Sequence, residues 1–184
     1  MSRIADQVTA VSARFPERTI FTRFQPPPSA DQMPGMWRSY YEKWPMMTAA
    51  RMDPGLIDLI YPLQSLVPPA RILNKRTYSP WITGRLERAL ALEKVETVVV
   101  TGGETDVCVM ATVLGAIDLG YKVIVLKDGV YSSLDETHDA WLPSEIHRGT
   151  LAEPSSCHSV WTPTRRKEPP ADSATGPDLA IGRL

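Results

Sequence analysis

Residues 97–132, TVVVTGGETDVCVMATVLGAIDLGYKVIVLKDGVYS, decide the fold of this chain. The β-branched run over residues 95–101 (VETVVVT) is typical of a strand that is buried on both faces. Gly102-Gly103 predicts a turn, and the apolar residues that follow predict a helix over residues 106–119. The YKVIVL stretch at residues 121–126 predicts a second strand. A strand, a helix and a strand in this order indicate a parallel pair with a helical crossover.

The remainder of the chain continues the alternation of helices and strands. Periodic apolar residues predict further helices, which cover residues 4–14, 54–60, 83–92 and 133–142. Short apolar runs predict strands over residues 18–24 and 70–74, and residues 31–44 form an aromatic-rich segment. This order predicts the α/β class, with a mostly parallel sheet that helices cover on both faces.

Composition excludes several classes of function. The 184 residues include 20 basic and 21 acidic side chains, a balance that argues against binding to nucleic acid or to an anionic membrane. The chain has no apolar run long enough to span a bilayer and no signal peptide, so we expect a cytoplasmic protein. Two cysteines, Cys108 and Cys157, are too few for a disulfide framework or a cysteine-based zinc site.

The distribution of proline divides the chain. Several of the 17 prolines lie in the polar C-terminal stretch TPTRRKEPPADSATGPDLAIGRL, which has no sustained apolar period. Such a segment buries too little apolar surface to offset its ordering entropy. We therefore predict one domain over residues 1–145 and a divergent, disordered tail over residues 146–184, with a strand-like remnant only at residues 158–163.

Cys108 is the candidate nucleophile. It lies in the first turn of the predicted helix 106–119, where unpaired N–H groups and the positive end of the helix dipole favour a thiolate. The alternative is a small buried residue that fills the contact between helix and sheet, because free cysteine is often buried. Position alone does not separate the two.

Lys75 is the candidate partner of Cys108. It directly follows the predicted strand 70–74, at the strand end where catalytic groups gather in parallel sheets. An ammonium near a thiolate would stabilise it. The alternative is a solvated surface lysine. Gly102-Gly103 offers a further alternative, a phosphate cradle, but the chain has neither G-x-G-x-x-G nor a lysine-bearing phosphate loop.

Several segments in the same order carry a resemblance to a known family. The pattern G-x-x-T-x-x-C-V, a helix, G-Y-x-V, a strand and an Asp is present within residues 97–132. NKRTYSPW at residues 74–81, ETHDAWL at residues 136–142 and the stretches FTRF and PGMWRSYYEKW extend the match. Over roughly residues 4–142 the chain resembles the isochorismatase-like cysteine hydrolases, which include nicotinamidases and N-carbamoylsarcosine amidohydrolases. The resemblance implies a three-layer α-β-α sandwich.

The resemblance also implies the site. Cys108 would attack a carbonyl, Lys75 would complete the charged network, and the backbone N–H groups of Cys108 and Glu104 would form the oxyanion hole, often beside a cis peptide. The substrate would be a small amide, ureide or vinyl ether. Aromatic residues would wall its pocket, chiefly Trp37, Tyr41 and Trp81, with Tyr40 and Trp44, although such a group is more often core than substrate lid.

The sequence departs from the family pattern at its N-terminal end. The family's first strand, which carries the catalytic aspartate, has no counterpart here; Asp6 lies in a helix-like segment instead. That strand would lie between the strands predicted over 18–24 and 95–101, so its absence leaves two unpaired edges inside the sheet. We expect an incomplete N-terminus or another segment in the gap. TRFQPPPSADQ lacks the histidines of the zinc-dependent members, so we expect neither metal nor cofactor.

Three functions follow from these observations. The first is a cysteine hydrolase of a small-molecule substrate, and the second is a family member that lacks its base and serves as a scaffold or binding protein. The third is a nucleotide binder that uses Gly102-Gly103. We also expect a homo-oligomer, because the helix over 106–119 is apolar on nearly every side. Ala111 and Gly115 would permit close approach of a partner helix or of more of the same domain.

Overall fold

A computed structural model of the chain describes residues 2–133 and 151–152. The helices in these residues are α1 (Ser2–Arg14), α2 (Gly35–Lys43), α3 (Tyr61–Gln64), α4 (Arg85–Leu92) and α5 (Met110–Asp118). The strands are β1 (Ile20–Phe24), β2 (Arg71–Lys75), β3 (Thr97–Gly103), β4 (Lys122–Tyr131) and β5 (Leu151–Ala152). The predicted helix over 133–142, apart from its first residue, and the predicted strand over 158–163 lie outside the described residues.

The strands form two parallel sheets. In the first, β1 pairs with β2, with Ile20 opposite Arg71 and Phe24 opposite Lys75. In the second, the order is β3-β4-β5, and every pairing is parallel. Parallel strands connected through helices confirm the predicted α/β class. β5 lies within residues 146–184, the segment predicted to be a disordered tail. The composition of that segment gave no sign that Leu151 and Ala152 would pair with β4.

The break between the two sheets lies between β1 and β3. Within the described residues, β1 pairs only with β2, and β3 pairs only with β4. This is the place where the family resemblance puts the strand that the sequence lacks. The strand beside the break, β3, is less buried than its neighbour β4. Val100 is the one buried residue of β3, whereas Val123, Ile124 and Val125 of β4 are all buried.

Helices cover both faces of the two sheets. Adjacent residues of β1 point to opposite faces, as in any strand, and they join different apolar clusters. Phe21 packs with Ile4 and Val8 of α1, while Ile20 packs against Leu86 and Leu90 of α4. The two helices therefore lie on opposite sides, which makes the three-layer sandwich.

The same clusters join the two sheets. Val98 of β3 packs beside Leu73 of β2 in the α4 cluster, and Tyr131 of β4 packs beside Phe21 in the α1 cluster. Among the described residues, no backbone hydrogen bonds pair a strand of one sheet with a strand of the other. Side-chain packing under α1 and α4 therefore holds the two sheets together.

The structure corrects the predicted turn at Gly102-Gly103. β3 continues through both glycines, with a shift of register against β4 between Val100 and Gly102. Gly102 has a φ of +106°, which side-chain-bearing residues rarely adopt, so the glycine permits this irregularity. The predicted helix then begins as a π-helical turn over Thr105–Val109 before α5.

Two other predicted helices differ from the structure. Residues 54–60 do not form an amphipathic helix; a 3₁₀ turn over Pro54–Leu56 is followed by irregular chain, and Leu56 is largely exposed. Pro54 suits the start of such a turn. Leu59 and Ile60 pack against the cluster of Ile4, Val8 and Leu63 from irregular chain rather than from a helix. The helix predicted over 83–92 begins only at Arg85, after Gly84 in a left-handed conformation (φ +63°).

Candidate active site

Lys75 and Cys108 meet although they come from different sheets. Lys75 is the last residue of β2, and Cys108 lies in the π-helical turn that follows β3. The Nζ atom of Lys75 lies 3.3 Å from the Sγ atom of Cys108. Lys75 is only 6% exposed, so it is not the solvated surface lysine of the alternative interpretation. Cys108 is half-buried and lines a cavity, so it is not sealed between helix and sheet.

The ammonium group of Lys75 is held by specific acceptors. It donates to the backbone oxygen of Thr77 at 3.1 Å and to that of Tyr78 at 2.7 Å, in addition to its contact with Cys108. It also lies 5.6 Å from the ring centroid of Phe24, which provides a cation–π contact. The ammonium therefore has a defined position beside the sulfur.

The turn that carries Cys108 is folded around Glu104. The backbone oxygen of Glu104 accepts hydrogen bonds from the N–H groups of Val107 at 3.2 Å and Val109 at 3.0 Å. The Gly103–Glu104 peptide bond is cis, as the family resemblance implies. Thr112 donates its hydroxyl to the backbone oxygen of Cys108 at 2.7 Å, one helical turn further on. Glu104 and Cys108, the residues predicted to supply the oxyanion hole, line the same cavity.

Two serine–carboxylate pairs attach this turn to the end of β4. Ser133 donates its hydroxyl to the Oε2 atom of Glu104 at 2.7 Å, and Ser132 donates to the carboxylate of Asp106. Sequence analysis did not identify these pairs. Their only signal in the sequence is the polar Ser-Ser pair that directly follows an apolar strand, opposite two acidic residues after the preceding strand.

Tyr131 is a second feature of the site that sequence analysis missed. Its ring lies over Gly103, where a Cβ atom would come within 2.2 Å of the ring carbon Cε1. Burial raises the pKa of the Tyr131 phenol, and electrostatic interaction with Glu104 and with Cys108 raises it further. The ring thus crosses the end of β3 and places its hydroxyl in the electrostatic neighbourhood of the cysteine. Gly103 provides the space that this crossing requires.

A cavity of about 300 Å³ opens beside Cys108. Most of its lining is aromatic or apolar: Phe24, Pro26, Trp37, Tyr40, Tyr41, Met47, Met52, Tyr78, Glu104, Val107 and Cys108. The predicted pocket residues Trp37, Tyr40 and Tyr41 lie here, and Phe24, Tyr78 and the methionines are additions that only the folded chain reveals. Trp44 is not among the lining residues.

Trp81 does not belong to this cavity, which corrects its predicted place in the substrate pocket. Its ring stacks on Tyr121 with centroids 5.7 Å apart, and its Nε1 donates to the backbone oxygen of Thr112 at 2.9 Å. A Cβ atom on Gly115 would lie 2.4 Å from the Cδ1 atom of Trp81. The small size of Gly115 had two interpretations, close approach of a partner helix or of more of the same domain. The structure shows the second, because Trp81 of the same domain occupies the space beside Gly115.

Trp37 is the centre of the aromatic wall. Its ring centroid lies 5.0 Å from that of Tyr78, 6.1 Å from Tyr40, 6.2 Å from Tyr41 and 6.3 Å from Phe24. The interplanar angles range from 23° to 79°, so the rings enclose a space rather than form one stack. Burial raises the pKa of Tyr41, the neighbouring phenols add to this, and the Arg76 guanidinium partly opposes it.

The described residues contain neither a candidate metal site nor a helix that could span a membrane. Among residues 2–133 and 151–152, no group of three or more His, Cys, Asp or Glu side chains is placed to hold a metal ion. In the same part of the chain, none of the helices has the length and apolar character that crossing a bilayer demands.

Comparison with known proteins decides the family. The family model for the isochorismatase domain matches residues 1–148, which is most of the chain. The chain belongs to the isochorismatase family. The recognised sequence pattern around Cys108 and the α/β architecture are thus features of an isochorismatase-family domain.

Solved structures agree with this assignment at the level of the fold. An isochorismatase-like hydrolase from Alkaliphilus metalliredigens is 23% identical with a TM-score of 0.67, over 87% of this chain and 84% of that one. N-carbamoylsarcosine amidase from Thermoplasma acidophilum is 18% identical with a TM-score of 0.63, over 83% and 82%. A nicotinamidase from Staphylococcus aureus is 19% identical with a TM-score of 0.55, over 82% and 84%. Family and fold together place this chain among the isochorismatase-like hydrolases.

Proposed function

We propose that this isochorismatase-family protein is a cysteine hydrolase that cleaves a small amide, ureide or vinyl-ether substrate, with Cys108 as its nucleophile. The observation that carries the proposal is the contact of 3.3 Å between the Lys75 ammonium and the Cys108 sulfur beside a cavity. A thiol, a buried cation and an enclosed apolar space are the parts that this chemistry requires.

The charge balance of Lys75 favours the nucleophilic form of Cys108. A buried ammonium is costly unless a negative charge or several acceptors compensate it. Within residues 2–133, its neighbours at hydrogen-bonding distance are two carbonyl oxygens and the Cys108 sulfur. A thiolate at Cys108 therefore supplies the counter-charge, and the thiolate is the form that attacks carbonyl carbon.

The reaction on an amide or ureide would take two steps. The Cys108 thiolate adds to the carbonyl carbon, and the backbone N–H groups of Cys108 and Glu104 stabilise the oxyanion. The C–N bond then breaks, and the amine leaves with the proton that the Cys108 thiol gave up. The acyl group remains on the sulfur, as a thioester from an amide or as a thiocarbamate from a ureide. Water hydrolyses this acyl–sulfur bond, releases the acid and restores the thiol.

A catalytically impaired scaffold is the second candidate, and the absence of a base favours it. Among the described residues, no carboxylate is hydrogen-bonded to Lys75 or Cys108, whereas the family resemblance implies an aspartate from the missing strand. Glu104 is the one carboxylate that lines the cavity within the described part of the chain. Deprotonation of the attacking water is thus the step on which the two candidates differ.

Selective alkylation tests the nucleophile. Substoichiometric iodoacetamide at neutral pH, followed by intact-mass analysis and peptide mapping, should modify Cys108 much faster than Cys157. The Lys75→Met variant should lose most of this rate, because the thiolate loses its counter-charge. Lys122→Met, a change of an exposed lysine at the start of β4, is the matched control and should react like the wild type. Equal, slow labelling of both cysteines in all three proteins would contradict the proposal.

Turnover separates the hydrolase from the scaffold. The wild type and Cys108→Ser are incubated with a panel of small amides and ureides, and released ammonia is measured. The hydrolase predicts ammonia release that depends on Cys108. Rapid labelling of Cys108 without turnover of any member of the panel would instead favour the scaffold.

A further inference from the structure

The cavity beside Cys108 has an electrostatic character that narrows its ligand. Its lining includes five aromatic residues, Phe24, Trp37, Tyr40, Tyr41 and Tyr78, together with one acidic residue, Glu104. Lysine, arginine and histidine are all missing from the lining that the described residues provide. Aromatic faces are electronegative and a carboxylate is anionic, so the enclosed space attracts positive charge.

One cation of the protein, the Lys75 ammonium, already contacts a ring of this aromatic group. The Lys75 ammonium lies 5.6 Å from the Phe24 centroid, within the range of a cation–π interaction. Lys75 approaches the ring without lining the cavity, and its own charge is directed at the Cys108 sulfur, 3.3 Å away. The remaining rings around Trp37 meet at different angles and line the cavity that a second cation would enter.

The position of Glu104 adds a charged partner to the rings. Its Oε2 atom accepts a hydrogen bond from Ser133 at 2.7 Å, which fixes the position of the carboxylate of this lining residue. The Arg76 guanidinium acts on Tyr41, but it is exposed and outside the lining. A ligand cation would therefore exchange water for aromatic faces and a carboxylate, whereas a ligand carboxylate would meet the Glu104 carboxylate.

We propose that this cavity binds an alkylammonium group, so that the substrate of this protein is a small amide or ureide that carries a cationic nitrogen near its carbonyl. The inference rests on the proposed cysteine hydrolase, whose substrate class it specifies. The cavity volume of about 300 Å³ suits a compact group such as trimethylammonium beside a single carbonyl group.

The first test measures binding without catalysis. Choline and 3,3-dimethylbutan-1-ol have the same shape, but choline carries a cationic nitrogen where the alcohol carries a quaternary carbon. Neither contains an amide, so both can be titrated into the wild-type protein and followed by NMR chemical shifts. We expect choline to bind about five-fold or more tightly than the alcohol. Equal affinity, or tighter binding of the alcohol, would overturn the inference.

Two pairs of variants locate the binding. Trp37→Leu and Glu104→Gln should each remove most of the preference for choline, because one loses the central ring and the other the negative charge. Trp44→Leu and Glu87→Gln are the matched controls, since neither residue lines the cavity, and they should retain the preference. A preference that survives both cavity variants would place the cation elsewhere and overturn the inference. If Trp37→Leu does not fold, the glutamate pair still decides.

The second test joins the inference to turnover. Betaine amide and 3,3-dimethylbutanamide differ only in the same exchange of nitrogen for carbon next to a carboxamide. The inference predicts a higher kcat/KM for betaine amide, by about five-fold or more. If choline is preferred but neither amide is hydrolysed, the cation site stands and the proposed hydrolase on these amides fails. If both amides are hydrolysed equally and the alcohol binds as well as choline, the hydrolase stands and the cation site fails.

Discussion

The two sheets of this protein differ in how deeply their strands are buried, and the candidate site contains residues from both. The sheet of β3, β4 and β5 has a strand, β4, whose first apolar residues are buried, and it supplies the turn of Cys108. The sheet of β1 and β2 has no fully buried residue in β1, and it supplies Lys75. The contact between Lys75 and Cys108 therefore crosses a break in backbone pairing and depends on side-chain packing to persist.

The difference between the sheets predicts which substitutions disturb the site and which disturb the stability of the fold. A change within the larger sheet should affect the free energy of unfolding more than the reactivity of Cys108. A change at the break between the sheets should affect the reactivity more, because the thiol and the ammonium are positioned from opposite sides. Four experiments test this difference between the two sheets, and they are given in decreasing order of the expected change.

The largest effect is expected from Leu126→Ala in β4. Leu126 is fully buried, so its truncation loses transfer free energy and leaves a cavity, at a cost of about 2–5 kcal/mol in the free energy of unfolding. Ile72→Ala in β2 is the matched control; its side chain is exposed, and its loss should cost less than about 1 kcal/mol. Urea denaturation measures both. Similar losses would show that the two sheets are equally well packed.

The next effect concerns two glycines that each accommodate an aromatic ring. Gly103→Ala would collide with Tyr131, and Gly115→Ala would collide with Trp81, so each should cost about 1–3 kcal/mol in the free energy of unfolding. Only Gly103 adjoins the turn of Cys108, and only Gly103→Ala should also change the rate of Cys108 alkylation. An unchanged alkylation rate in Gly103→Ala would separate Tyr131 from the site.

A smaller effect is expected in hydrogen exchange. Alternate amides of β1 and β3 point towards the break and have no described partner strand, whereas the amides of Val125 and Leu126 lie between β3 and β5. The unpaired amides should exchange at least about ten-fold faster, which corresponds to about 1.4 kcal/mol of protection. Uniform protection across β1, β3 and β4 would mean that the break is covered in solution.

The smallest effect is expected from a surface ion pair. Arg71 of β2 contacts Glu93, which follows α4, and the two side chains are 40% and 44% exposed. Glu93→Gln should change the free energy of unfolding by less than about 1 kcal/mol and leave Cys108 alkylation unchanged. A larger loss would show that this contact, rather than the apolar cluster of Leu73, Leu86 and Leu90, holds the smaller sheet to α4.

Local pattern in the sequence predicted much of this molecule. The strands on either side of α5, the C-terminal end of that helix (predicted at residue 119, found at Asp118) and the resemblance to the isochorismatase family all follow from short-range signals, and the family is confirmed. The predicted sheet interruption also lies where the resemblance puts it. The domain boundary at residue 145, the homo-oligomer and the cytoplasmic location stay predictions.

Trp81 shows why the rest required the fold. Its ring has the size and polarity that a pocket wall uses, and the family resemblance led to its prediction as part of the substrate pocket. The structure places it against Gly115 and Tyr121 instead, because the missing side chain of a glycine on α5 leaves space for it there. No local pattern reveals a space on a distant helix.

Strand and helix periods and motif spacing are local properties of the chain, so the sequence was enough to identify the class of fold and the family. It also made Cys108 and Lys75 the candidate residues of the site. Only the tertiary structure decided that Lys75 is buried against the sulfur, that Tyr131 reaches across Gly103, and that a cavity of aromatic rings and one carboxylate opens beside them. These features join residues far apart in sequence, and their geometry depends on how the layers pack.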